Sequence, residues 1–280
     1  GGADPDGADG TILIGYQSGQ ALTTGAASLF IGYEAGRELT TASSNTGIGF
    51  RAMADTSAAV SQHNTIIGAN AGSGTWATAV SSGNTAVGSE TMKAAMNTAN
   101  NNTCIGYNSL TALVNGIDNV GAGHNALAAI TAGNRNVALG KNALLTHLSG
   151  NANIAIGAEA MHDTDAGGSS NSSVDNVMIG DLAGSGAWQN STADGNIAIG
   201  AHAFSGTING ADDCIAIGRN AMTGSAEALG SIGIGTQALN ALSSGAGNTA
   251  VGYQAGIKLT TNNGNTILGY GAFSTADSGE

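Results

Sequence analysis

The apolar positions of this chain recur in short groups that do not follow the spacing of a helix. Each group contains Asn, a β-branched residue, a small residue, Ile, Val or Leu, and then Gly, which we use as the anchor of the repeat. The β-branched residue and the apolar residue lie two positions apart, so they share one face of a strand. We therefore predict one short strand per group. The anchors are Gly15, Gly32, Gly49, Gly68, Gly88, Gly106, Gly123, Gly140, Gly157, Gly180, Gly200, Gly218, Gly235, Gly252 and Gly269.

The anchors follow one another at a nearly constant interval, with one clearly longer interval between Gly157 and Gly180. A constant period of this length indicates one structural unit per repeat, with each unit stacked on its neighbours. The sequence therefore predicts an all-β, parallel β-roll or β-solenoid of about 15 coils, with about 17–20 residues in each. We expect this single repeat domain at 11–273, between a flexible N-terminal segment at 1–10 and a C-terminal tail at 274–280.

Two further repeat positions carry predictions about packing. The residue two before the anchor is mostly Ala or Gly, which favours a second, very close packing surface opposite the β-branched face. Both faces of the strand would then be covered. Seven positions after the anchor, an apolar side chain predicts a second strand in several coils, at Leu22, Leu39, Leu113, Ile130, Leu242 and Leu259.

The residue four before the anchor is Asn in eleven repeats. Asn tolerates left-handed backbone geometry and bonds within turns. On successive coils the same side chain can also form a ladder of amides. We predict such a ladder at Asn45, Asn64, Asn84, Asn102, Asn119, Asn136, Asn153, Asn176, Asn196, Asn248 and Asn265.

The composition limits the classes of protein to which this chain can belong. Charged residues make up only 9% and hydrophobic residues 41%, which argues against disorder. The net charge of −12 disfavours nucleic acid and anionic membranes as partners, and no apolar run is long enough to span a membrane. Cys104 and Cys214 lie far apart in strand-like segments, so we expect buried free thiols. We expect no cofactor and no metal. The start of the chain lacks Met and a signal-peptide core, which is typical of a fragment or mature segment.

The unit Asn248-Thr249-Ala250-Val251-Gly252-Tyr253-Gln254-Ala255-Gly256 resembles the head repeats of trimeric autotransporter adhesins and, more closely, repeats of bacteriophage tail fibres. Near copies begin at Gly15 and Gly32, and the resemblance covers about 11–273. It implies a homotrimer of parallel β-rolls, located outside the cell or on the virion. Adhesin-head coils are shorter than the repeats of this chain, so the handedness of the coil stays open, as does a monomeric solenoid.

The function that follows from this resemblance is a structural and adhesive fibre, most simply a phage tail fibre that presents receptor-binding loops to a bacterial surface. The alternative is a bacterial extracellular adhesin or a self-assembling filament subunit, with end-to-end assembly. We expect no enzyme, because no nucleophile elbow, phosphate loop or metalloprotease motif is present. A polysaccharide depolymerase with carboxylates paired across chains is the weakest alternative.

Two deviations from the repeat supply candidate ligand-binding residues. Trp76 and Trp188 lie at the same offset from their anchors, Gly68 and Gly180, in repeats that are longer than most. They are either exposed platforms for a sugar ring or, as we favour, packing residues folded over the coil. The longest repeat, which follows Gly157, holds His162 and Asp163, which could belong to a receptor loop or a cation site. The simpler interpretation is a tolerated surface insertion.

Overall fold

The computed structural model describes residues 10–41, 43–56, 61–76, 80–164, 172–188, 192–224 and 227–274. Within these ranges the chain is all-β and contains no helix. It forms a parallel β-solenoid of about fourteen turns with fifteen strands, which confirms the predicted fold class. The chain divides into two compact units, Gly1–Arg135 and Asn136–Glu280.

The first unit contains seven strands, and each pairs in parallel with the next along the sequence. Equivalent repeat positions stand side by side, so that Ile14 pairs with Ile31 and Ile31 with Ile48. The strands are β1 Ile12–Ile14, β2 Leu29–Ile31, β3 Thr46–Ile48, β4 Thr65–Ile67, β5 Thr85–Val87, β6 Thr103–Ile105 and β7 Val120–Ala122.

The second unit contains eight strands with the same parallel, in-register pairing. Ile156 stands beside Ile179, and Ile199 beside Ile217. The strands are β8 Val137–Leu139, β9 Ile154–Ile156, β10 Val177–Ile179, β11 Ile197–Ile199, β12 Ile215–Ile217, β13 Ile232–Ile234, β14 Thr249–Val251 and β15 Thr266–Leu268.

Each strand ends at its anchor glycine, because the backbone there adopts a φ angle that residues with a side chain rarely adopt. Gly32 has φ +138°, and a Cβ built on it would lie 2.2 Å from the carbonyl oxygen of Gly49 in the next coil. No side chain fits between two backbones at that separation. The anchor therefore fixes both the bend and the close stacking of the coils.

The middle residue of each strand points into the coil, which reverses the faces expected from the sequence. Ala86 and Ala155 are fully buried there, whereas the flanking residues of the same strands are at best half-buried. The small residues do form a closely packed surface, but it is the interior of the coil, and the prediction that the β-branched face is covered as well is wrong for the chain by itself. A coil that closes within so short a stretch of chain has a narrow interior, so the small side chains lie inside and the branched ones outside.

Large and small residues alternate between two interior positions. Four positions after the anchor the backbone is left-handed, as in Gly36 at φ +62° and Leu144 at φ +51°. In most coils where this residue is Gly the strand centre is large, and a Cβ on Gly36 would lie 2.7 Å from the ring of Phe30. Where it is Leu, as at Leu144, the strand centre is small, here Ala138. The total interior volume is thus shared between the two sites.

The predicted second strand is not present in the described residues. Leu113 and Leu242 are buried as expected, but each directly follows a turn, and only single bridges form outside the named strands. The left-handed residue three positions earlier in the chain prevents an extended run from starting there. Each described coil therefore carries one strand and closes through turns.

Candidate functional site

The outward face of the strands is the main surface that the fold creates. Each strand contributes its first and third residues, and all of these are Ile, Val, Leu, Thr or Ala. The 7 basic and 19 acidic residues of the chain occupy none of these positions. Exposed strands normally carry charged residues that prevent edge and face association. We call this surface the strand face.

The strand face is uncharged and accessible in both units, and its third-residue positions are all apolar. In the first unit Ile14 is 55% exposed and Ile105 is 51% exposed, and in the second Ile199 is 39% exposed. The in-register pairing joins these side chains into two continuous files per unit. A contiguous uncharged file of this kind marks an interaction surface on a folded protein.

Asparagines, most of them buried, lie at the opposite end of most strands. In the first unit the Asn84 amide nitrogen donates to Oδ1 of Asn64 at 3.1 Å and to the carbonyl of Ala99 at 2.8 Å. Oδ1 of Asn84 in turn accepts from the backbone and the side chain of Asn102, both at 3.0 Å. Each such amide has its donors and acceptors satisfied, so its burial costs little.

The same ladder runs through the second unit with one interruption. It passes from Asn136 through Asn153 and Asn176 to Asn196, with amide contacts of 3.0–3.1 Å, and resumes between Asn248 and Asn265 at 2.9 Å. Cys214 and Ser231 occupy the positions between them. Ser231 replaces part of the amide function, because its hydroxyl donates to the Gly245 carbonyl and accepts from the backbone of Asn248.

One buried histidine joins this network. His147 lies where other coils carry Leu, and it contacts Asn153 Nδ2 at 3.2 Å and Thr164 Oγ1 at 3.1 Å. Burial lowers the pKa of His147 to about 4, and a hydrogen bond with the backbone of Gly150 partly opposes this. His147 is therefore neutral near pH 7.

Exposed aromatic rings stack on one another just after the anchor glycines. In the first unit Tyr16, Tyr33 and Phe50 have centroids 5.2 and 5.4 Å apart and nearly parallel planes. A hydrogen bond with Glu34 raises the pKa of the Tyr33 hydroxyl. Glu34 also forms an ion pair with Arg37 at 2.7 Å. We call the three rings the aromatic ladder.

The two candidate tryptophans lie inside their coils. Both side chains are fully buried, and Trp188 donates from its ring nitrogen to the carbonyl of Gly184 at 2.9 Å. The Trp76 ring nitrogen has no hydrogen-bond partner within the described residues. A buried ring presents no face to a sugar, so the platform interpretation is corrected in favour of packing.

Within the described residues, His162 and Asp163 contribute contacts through their backbone carbonyls. The His162 carbonyl accepts from the Thr146 hydroxyl at 3.0 Å, and the Asp163 carbonyl accepts from the backbone of Trp188 at 3.2 Å. Most of the inserted loop, at 165–171, lies outside the described residues. Across the described part of the chain no three His, Cys, Asp or Glu side chains are grouped as a metal ion would require.

Two remaining observations concern the cysteines and membranes. Cys104 and Cys214 are buried and free. Burial raises the pKa of the Cys214 thiol to about 11 and that of Cys104 further, so both are protonated near pH 7. In the described ranges there is no helix of the length and apolarity that crossing a membrane requires.

Sequence reasoning missed which strand face is open and missed the aromatic ladder. The signal for the ladder was present, because Tyr16, Tyr33 and Phe50 occupy one repeat position in consecutive repeats. The signal for the strand face was the lack of charge at its positions. We compared the chain with protein-family profiles, curated proteins and solved structures, and no match was found.

Proposed function

We propose that this chain is a structural and adhesive fibre segment of the phage tail-fibre type, in which three copies associate through the strand face. The observation that carries the proposal is the strand face itself. Its positions are free of charge in both units, although the chain has a net charge of −12. Association would remove the exposed Ile and Val side chains from water, which is the main driving force for obligate assembly.

The location of the charges supports this proposal. Charged side chains such as Lys141 and Asp181 are exposed at the bend that follows the anchor glycine, next to the strand face but not on it. An apolar centre with a charged rim is the usual anatomy of a protein interface. Three copies presenting repeated weak sites would bind a cell surface by avidity.

Light scattering on the full chain tests the association, with variants that alter the strand face in the second unit. The double variant Ile156→Lys with Ile217→Lys places charges in the file, whereas Ala158→Lys places one on the exposed bend. Lys141 occupies the same repeat position as Ala158, so the control is compatible with the fold. We expect a mass of three chains for the wild type and the control, and of one chain for the double variant with an unchanged circular dichroism spectrum.

A monomeric wild type, or a double variant that remains trimeric, would show that the strand face is not the interface. Growth to much larger species would favour the second candidate, a self-assembling filament subunit of a bacterial surface. The adhesive part is tested separately, by measuring whether the assembled chain inhibits attachment of phage particles to bacteria.

A further inference from the structure

The aromatic ladder has features that the proposed fibre function does not use. Tyr16, Tyr33 and Phe50 are 62%, 45% and 50% exposed, so their rings do not pack in the core. They lie beyond the bend at the anchor glycines, and therefore off the strand face. Exposed rings in consecutive coils form a surface that is both flat and periodic.

The orientation of the rings determines what this surface can bind. The planes deviate from parallel by 19° and 12°, so each ring covers the face of its neighbour and turns its edge outward. Ring edges carry partial positive charge and attract the negative π face of another aromatic system. A planar molecule lying along the ladder would make one edge-to-face contact with each ring, at steps of 5.2 and 5.4 Å.

The neighbouring charges exclude anionic ligands. Arg37 contacts Glu34 at 2.7 Å, Glu38 at 2.9 Å and Asp55 at 2.8 Å. Arg51 contacts the same Asp55 at 3.0 Å. Both guanidinium groups are thus held by carboxylates, and the whole chain is strongly acidic. A ligand at this site is therefore neutral or positively charged.

We propose that the aromatic ladder of the first unit is a binding site for elongated planar aromatic molecules that are neutral or cationic. The occupant lies parallel to the direction in which the coils stack, with its π face across the edges of the three rings. The other ring stacks in the described residues, Tyr107 with His124 and Tyr253 with Tyr270, contain two rings each and offer a shorter surface. The site requires the folded first unit and is independent of whether copies associate.

Thioflavin T titrated into the full-length folded chain tests this site, because the dye is an elongated planar cation that fluoresces when its rings are held coplanar. We expect saturable fluorescence with the wild type and roughly tenfold weaker binding for Tyr33→Leu, which removes the central ring. Tyr33→Phe keeps the ladder and should bind as the wild type does. Tyr253→Leu, in a two-ring stack of the second unit, is the matched control and should also retain binding.

Equal loss in Tyr33→Leu and Tyr253→Leu, or unchanged binding in both, would overturn the assignment to the three-ring ladder. Stronger binding of Congo red, a planar dianion, would overturn the charge preference. If Tyr33→Leu does not fold, as judged by circular dichroism, Tyr16→Leu and Phe50→Leu shorten the ladder from its two ends and carry the same expectation.

Discussion

At the scale of single residues, buried polar side chains determine how strictly the coils stay in register. An amide inside the ladder, such as that of Asn84, donates twice and accepts twice, so a strand shifted by one position would bury unpaired amides. The ladder therefore contributes specificity of register in addition to stability.

Replacing Asn102 with Ala tests the ladder in the first unit. The side chain donates to Asn84 Oδ1 and to the Gly116 carbonyl, and its Oδ1 accepts from the backbone and the side chain of Asn119, all of which the variant loses. We expect a loss of about 4 kcal/mol in the free energy of unfolding, at about 1 kcal/mol per bond. Urea denaturation measures this loss.

Asn102→Ser is the matched control, because serine naturally occupies this repeat position at Ser28 and Ser231. Its hydroxyl can accept from the next coil, as Ser28 accepts from the backbone of Asn45 at 3.2 Å. The serine variant should therefore lose clearly less than the alanine variant. Equal losses would show that the amide hydrogen bonds do not account for the effect.

His147 makes the folding stability of the protein depend on pH in the acidic range. Its pKa of about 4 in the folded chain lies below the ordinary value of 6.5. The unfolded state therefore binds more protons between these values, and stability falls as pH drops from about 6.5 to about 4. The full difference amounts to about 3 kcal/mol. Above pH 6.5 this contribution is constant.

The variant His147→Leu restores the apolar residue that other coils carry at this position. Thermal denaturation between pH 7 and pH 4 should show a smaller decrease in midpoint for the variant than for the wild type. Parallel decreases in the two proteins would assign the acid sensitivity to other groups.

At the scale of one coil, the strand and the following turn share a single interior. In most coils a large strand centre is paired with a small left-handed residue in the turn, or the reverse, which keeps the coil filled without widening it. Phe30 with Gly36 and Ala138 with Leu144 are the two arrangements. The effect of a substitution at one site on the stability of the coil therefore depends on the residue at the other site.

The variant Gly36→Ala should cost more than left-handed strain alone. Its φ is +62°, and the new Cβ would lie 2.7 Å from the Phe30 ring, so strain and overpacking add to a loss of about 2–4 kcal/mol. Gly247→Ala is the control, because Gly247 has φ +65° and an added Cβ meets nothing within 4 Å. It should lose only about 1 kcal/mol. Similar losses in urea denaturation would exclude a packing contribution from Phe30.

At the scale of the whole molecule, charge and apolar surface are separated. The 19 acidic residues exceed the 7 basic ones, and none of either kind lies on the strand face. Self-repulsion keeps such a chain soluble while leaving one surface free for association. Contacts between coils are local, so stability is a sum of coil and nearest-neighbour contributions.

This separation predicts a response to salt. Raising the ionic strength from about 0.01 M to about 0.15 M shortens the screening length from about 30 Å to about 8 Å. Repulsion among the acidic side chains then weakens, and the thermal midpoint of the protein should rise by a few degrees. Sodium chloride titrations followed by circular dichroism measure it. A midpoint that falls would mean that ion pairs such as Arg37 with Glu34 outweigh the net repulsion.

The sequence by itself determined the strand positions and the fold class. A repeat anchored on glycines such as Gly32, with β-branched residues at fixed offsets, predicts the strand that each described coil carries, although the predicted second strand does not form. Periodicity identifies such positions because each repeat reports the same local constraint. It could not assign the faces, since alternation shows which residues share a face but not which face lies inside.

Tertiary structure decided the faces, and with them the candidate sites. Because the closed coil has a narrow interior, small residues such as Ala155 lie inside it, while Ile154 and Ile156 point outward. Closure of the coil also buries Trp188. The stacking of consecutive coils brought Tyr16 and Tyr33 within 5.2 Å of each other, although they belong to different repeats of the sequence. Both outcomes depend on the volume of the closed coil and on contacts between coils, which no single repeat contains.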